Sequence, residues 1–171
     1  MLRGQDMLVL VGLMGKPAGA TIQEIADDVG LDLAAVHRAF RRLLASQLIL
    51  ADRRVQAAHA EEFLVHGLRY VFPPEYGGES RGVPTAWAAS PLRERFSSDG
   101  SSPPVWPHPL GAVRGIAVAP LHRAVPDAAL ADPRLYERLA LVDALRLGDA
   151  RARREARELL LPMLAPVVGT P

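Results

Sequence analysis

Apolar positions recur at helical spacing through most of the first 72 residues, and Pro17 is the only proline among them. Met7 to Met14 is an apolar run broken by Gly12; it fits a buried helix and falls far short of the roughly 20 residues of a bilayer span. Thr21 followed by Glu24 has the spacing of a capping box, so a helix is expected from Ile22. Ile22, Ile25, Ala26 and Val29 would face inward, and Gly30 would supply the left-handed residue that ends it. Asp32 then caps a second helix, with Leu31 placed to staple onto Val36. On that helix Val36, Phe40, Leu43 and Leu44 share an arc of roughly 100°. Arg38, Arg41 and Arg42 occupy the opposite arc with the small Ala34 and Ala45, and His37 lies on the border.

Further along, Leu48 to Ala51 reads as a strand and Asp52 to Val55 as a short turn with two arginines. A helix over roughly Ala58 to Val71 would put Phe63, Leu64, Leu68 and Val71 on one face. Residues 73–109 hold eight prolines and four glycines, which excludes long helices and predicts an extended, turn-rich covering or linker. Within it, Ser97 to Pro104 reads as a mobile loop. Val113, Ile116 and Val118 fit a short strand. Asp132 with Pro133 then starts a helix whose face is Leu135, Leu139, Val142 and Leu145. Asp149 starts another, with Ala152, Ala156, Leu159, Leu160 and Met163 on one side. The expected fold is mainly α (α+β), in three parts: 1–72, an extended segment 73–126, and a helical hairpin in 127–171.

Composition narrows the chemistry. With 49% hydrophobic and 23% charged residues the chain is neither disordered nor collagen-like, and the lack of cysteine removes zinc ribbons, iron–sulfur clusters and thiol nucleophiles. The net charge is only +1, yet of the 20 basic side chains just Lys16 is lysine and the rest are arginine. Between residues 33 and 60 five arginines (38, 41, 42, 53 and 54) face one acid, Asp52. That local excess sits on one helix face and one turn, which is an electrostatic footprint for a polyanion.

The stretch TIQEIADDVGLDLAAVHRAFRRLLASQLIL resembles the helix-turn-helix of bacterial winged-helix regulators of the MarR and IclR type, with Thr21, Glu24, Ile25, Ala26, Gly30, Leu31, Val36 and Leu44 at the expected places. Val36-His37-Arg38 is particularly IclR-like. The short apolar run, abutted by Asp6, fits neither a span nor a secretory signal, so a cytoplasmic protein is expected, and the resemblance implies a transcription regulator, a repressor or autorepressor, that inserts helix 33–46 into the major groove of double-stranded DNA. It implies phosphate contacts from Thr21 and Gln23, groove contacts from His37, Arg38, Arg41 and Arg42 beside the small Ala34, and wing contacts from Arg53 and Arg54. The first turn of the reading helix, Leu33-Ala34-Ala35, offers no hydrogen bonds to bases, so specificity would rest on few contacts and on DNA shape. Two half-sites imply a homodimer, with the terminal hairpin as dimer contact or protein-docking surface.

Other chemistries find less support. His59 and His66 lie seven residues apart, about 10 Å along a helix, which is poor spacing for a shared metal. Neither a metal nor a cofactor is expected. The serines sit in loops without a nucleophile elbow, His108 stands alone between prolines, and no catalytic set is expected. Trp87 and Trp106 would pin the proline-rich part to the core or line a pocket. Arg146, Arg151, Arg153, Arg154 and Arg157 would either form a solvated face with i, i+4 pairing or touch DNA backbone. The competing reading is a protein-interaction module, such as an antitoxin or regulatory partner of a neighbouring gene's product.

Overall fold

The run from Met7 has apolar side chains all round, so as a helix it must be covered on every side. The computed structural model, which describes residues 1–165, places it so: α1 (Gly4–Leu13) is buried from Asp6 to Leu13 and touches α2 (Ile22–Val29), α3 (Leu33–Ala45) and α7 (Pro133–Leu147). The capping box of α2 is formed. Thr21 Oγ1 accepts from the Glu24 amide at 3.1 Å, and the Glu24 carboxylate accepts from the Thr21 amide at 2.6 Å. Gly30 ends α2 at φ 66°, and Asp32 starts α3 by accepting from the Ala35 amide at 2.7 Å. Ala35, Val36, Ala39, Phe40 and Leu43 form the inward face of α3. Leu44, expected among them, is 47% exposed, because the two buried alanines pull the core-facing arc away from it.

The expected strand at Leu48 to Ala51 is reduced to one antiparallel bridge, Ile49 with Val55, closed by a turn in which the Arg53 amide donates to the Leu50 carbonyl at 2.9 Å. After it come α4 (Ala57–Glu62), a π-helical stretch (Phe63–Gly67) and α5 (Leu68–Val71). The wider π turn shifts the helical phase. Leu64 and Leu68 are buried as expected, but Val71 is turned outward and is 47% exposed.

The proline-rich middle is extended and without long helices, as expected, but it is more than a linker or a covering strip. Strands β1 (Tyr76–Pro84), β2 (Pro104–Pro107) and β3 (Val113–Val118) close into a three-stranded barrel, with β1 antiparallel to both others and β2 parallel to β3. So tight a ring requires glycine where backbones cross. A Cβ on Gly82 would lie 2.2 Å from the Trp106 carbonyl oxygen, and one on Gly115 would lie 2.0 Å from that of Pro103. Residues 97–103 carry no regular structure, whereas Pro104 opens β2 and is buried.

Two short 3-10 turns (Ala86–Ala88 and Leu92–Arg95) follow β1, and α6 (Val125–Ala131), α7 and α8 (Ala150–Leu164) complete the described chain. Asp132 and Asp149 cap α7 and α8, accepting from Arg134 and Ala152 amides at 2.9 and 2.8 Å. The barrel is fastened to α7 by a buried polar cluster. Asp143 accepts from the Trp106 indole at 2.7 Å and from the Thr85 hydroxyl at 2.9 Å, and pairs with Arg146 at 3.1 Å. Burial pushes the Asp143 carboxyl up, against the opposing pull of Arg146 and the two donors. Arg146 also donates to the Ala119 carbonyl at 2.7 Å and is 4% exposed, so it belongs to the interior and not to the solvated arginine face expected for it. The short pairs on α8 run between elements instead of along the helix: Glu155 takes Arg95 at 2.6 Å, and Arg157 reaches Glu61 at 2.7 Å. One contiguous apolar core runs from α1 to α8 and takes in Val83 and Trp106 of the barrel.

Candidate nucleic-acid interface

The outward side of α3 is set by what its inward side buries. His37, Arg38 and Arg41 are exposed, and their positions span about 100° of the helix circumference. Among the described residues no carboxylate pairs with any of the three. Ala34 and Ala45 are exposed on the same arc, and Leu33, at 46% exposure, stands at its N-terminal border. A helix so built can approach another surface closely at its ends and present cations between them.

Arg42 does not belong to this face. Its position lies beside Ala35 on the helical wheel, next to the buried arc, and it turns inward to α1. Its Nε and Nη2 donate to the two oxygens of Asp6 at 2.7 and 2.6 Å, a bidentate fork, and Asp6 raises its already high affinity for the proton. Asp6 is itself fully buried and also accepts from the Arg3 amide at 2.8 Å. The pair therefore fixes the angle of α3 on α1. In the sequence Asp6 carries a signal for this role: it is the only acid before Glu24 and it abuts the most apolar stretch of the chain.

The hairpin that follows α3 holds its arginines close. Arg53, at a left-handed φ of 69°, donates from Nη1 to the Ala20 carbonyl, so its side chain ties the hairpin to the start of the α2 region. Arg54 pairs with Asp52 at 2.7 Å, with the two side chains 44% and 47% exposed. Hydrogen bonds from the Arg54 amide and guanidinium hold the Asp52 carboxyl below the usual carboxylate range. The groups expected to meet phosphate at α2 are also engaged. The Thr21 hydroxyl donates to Glu24 at 2.9 Å, which with the Thr21 amide bond lowers the Glu24 carboxyl, and the Gln23 amide donates to Asp27 at 2.7 Å. Of the nine residues expected at the interface, Ala34, His37, Arg38 and Arg41 are thus brought together and unengaged, while Arg42, Arg53, Arg54, Thr21 and Gln23 have intramolecular partners.

Near the C-terminal end of α3 a cavity of about 530 Å³ is lined by Gln47, Leu48, His59, Glu62, Phe63 and His66, among others. His59 Nδ1 lies 2.9 Å from the Gln47 carbonyl oxygen, and Gln47 is in the left-handed region at φ 57°. Among the described residues no group of three or more histidine, cysteine or acidic side chains is arranged to hold a metal ion, and no helix is long and apolar enough to cross a membrane. Comparison with known protein families, with characterised proteins and with solved structures finds no match for this chain.

Proposed function

We propose that the chain is a DNA-binding transcription regulator of winged-helix type, with α3 entering the major groove and the Ile49 to Val55 hairpin lying along the flanking backbone. The observation that carries this reading is the outward face of α3, where His37, Arg38 and Arg41 project beside small residues with no acid among them. The number of phosphates engaged is small. Arg42 is committed to Asp6, whereas the Arg54 and Asp52 pair is a half-exposed surface pair that contributes little and can open toward a phosphate. Each copy is thus expected to bind weakly and with a shallow salt dependence, so a homodimer reading two half-sites is part of the proposal.

The test is in vitro selection of the full chain against random duplexes at low salt, followed by binding of the enriched site by Arg38→Ala/Arg41→Ala. Enrichment of a motif, with binding lost in the double variant, supports the regulator. Absence of enrichment, or equal binding by the variant, contradicts it. Light scattering that finds only the 18.5 kDa monomer at micromolar concentration would remove the dimer from the proposal.

A second reading, a protein-interaction module, draws on a different observation: Tyr70, Val71 and Tyr76 are exposed by 77, 47 and 57% around the junction of α5 and β1. Exposed aromatic groups of this kind mark contact surfaces. A stoichiometric complex with a neighbouring gene's product, lost in Tyr70→Ala/Tyr76→Ala and unaffected by Arg38→Ala/Arg41→Ala, would favour it.

A further inference from the structure

The exposed face of α3 holds few chemical types, and that restricts which base edges it can read. Leu33, Ala34, His37, Arg38, Arg41 and Leu44 are exposed on α3. Adenine is read in the major groove by the paired donor and acceptor of Asn or Gln, and cytosine by an acidic acceptor for its amino group. Neither type occurs within α3, and Asp32 at its N-cap spends its carboxylate on the Ala35 amide at 2.7 Å. Gln47 lies beyond its end, in the left-handed region beside His59. A histidine ring nitrogen can reach purine N7, but N7 is common to adenine and guanine and does not separate them. Two readable edges remain: guanine, whose O6 and N7 suit an arginine fork, and thymine, whose C5-methyl suits an apolar side chain.

Position completes the argument. Helix-turn-helix proteins bring the N-terminal residues of the second helix to the bases, and the exposed apolar pair, Leu33 and Ala34, is on that first turn. Arg38 follows five residues after Leu33, about 7.5 Å along the axis, or roughly two base-pair steps of 3.4 Å. Arg42, one turn further, cannot substitute for it because its fork is closed on Asp6.

Building on the DNA-binding reading above, we propose that α3 recognises a thymine and a guanine within about two base pairs of each other, the thymine through its methyl group against Leu33 and Ala34 and the guanine through Arg38. Specificity on this account includes direct contact by an apolar first turn, where the sequence alone points to few contacts and to DNA shape.

The experiment starts from the site selected by the full chain and replaces one kind of atom at a time. Deoxyuridine in place of the thymine removes only the methyl and should weaken binding about fourfold, the equivalent of one buried methylene. Replacing guanine by 7-deazaguanine should weaken it by at least about fivefold, since half the arginine fork is lost. In Leu33→Ala/Ala34→Gly, two exposed positions where folding is expected to persist, thymine and uracil duplexes should bind alike. If wild type binds thymine and uracil duplexes equally while 7-deazaguanine or Arg38→Ala still weakens binding, the regulator stands and this inference falls. A selected site without thymine or guanine overturns it as well. If no duplex is enriched, both fall together.

Discussion

The first 45 residues and the barrel with α7 use their polar groups in opposite ways. In α2 and α3 the polar side chains cap helix ends or face outward, and the one deep ion pair, Arg42 with Asp6, is placed where two helices cross. Where the barrel meets α7 a polar cluster is turned inward, with Asp143, Thr85 and Arg146 buried together and Trp106 donating into it, while Glu79 and Arg114 on the strands stay exposed. Apart from that pair, which spans 36 residues, the first region is held by local rules that repeat along a helix. The second depends on groups that meet across 37 to 58 residues of sequence. Damage should accordingly spread differently: a lost cap frays one helix, whereas a lost member of the buried cluster loosens the barrel from the core.

The contrast is sharpest at the glycines. Gly115→Ala drives a Cβ into the Pro103 carbonyl, a backbone atom that cannot rotate aside, and is expected to cost more than about 4 kcal/mol, read as a loss of soluble folded protein or a collapse of the denaturant midpoint. Asp143→Ala comes next. It leaves the Arg146 guanidinium buried without its carboxylate, at a cost of about 3 to 5 kcal/mol in urea unfolding. In the first region Arg42→Ala should cost about 2 to 3 kcal/mol, less than a fully buried pair, because the guanidinium is 20% exposed while Asp6 is not exposed at all.

The smallest effect belongs to the cap. Thr21→Ala should cost about 1 kcal/mol and be confined to α2. It also supplies a pH test. Hydrogen bonds from Thr21 hold the Glu24 carboxyl below its ordinary value in the folded chain. A depressed acid stabilises the fold above its unfolded pKa and loses that contribution as pH falls through the folded pKa. Amide protection in α2 should then decline in acid, below the usual glutamate range, earlier than protection in α3, and Thr21→Ala, which removes the hydroxyl donor but keeps the stronger amide one, should weaken that dependence only in part. If α2 and α3 lose protection together in both proteins, the cap is not the local device assigned to it.

Legibility in the sequence follows the same division. The capping box at Thr21, the left-handed Gly30 and the caps at Asp32, Asp132 and Asp149 are readable because each joins residues within one turn. The β3 strand was readable from its apolar spacing. The barrel was not, since prolines 84, 104 and 107 lie in or at the ends of its strands and normally argue against strand; only closure of a very small ring, with glycine at each crossing, makes their placement understandable. Arg42 and Leu44 are harder to place for a subtler reason: the buried arc of α3 is extended by the small Ala35 and Ala39, which carry so little apolar surface that they barely mark the helical pattern. The π turn at Phe63–Gly67 misplaced Val71 in the same way, by a shift of phase that no regular period contains. Among the interface residues, exposure was legible for His37, Arg38 and Arg41, whereas the partners of Arg53 and Arg54 depend on the fold of the hairpin.

The central claim is that the outward arginines of α3 serve DNA and the inward one serves the fold. It is tested most directly by measuring duplex affinity across a salt series for wild type and for Arg38→Ala/Arg41→Ala, with thermal unfolding of both. The account predicts unchanged unfolding, weaker binding, and a slope of log affinity against log salt that is shallower by about one, since Arg38 reads a base and only Arg41 is left to neutralise a phosphate. Equal affinity and equal slope in the two proteins would contradict it.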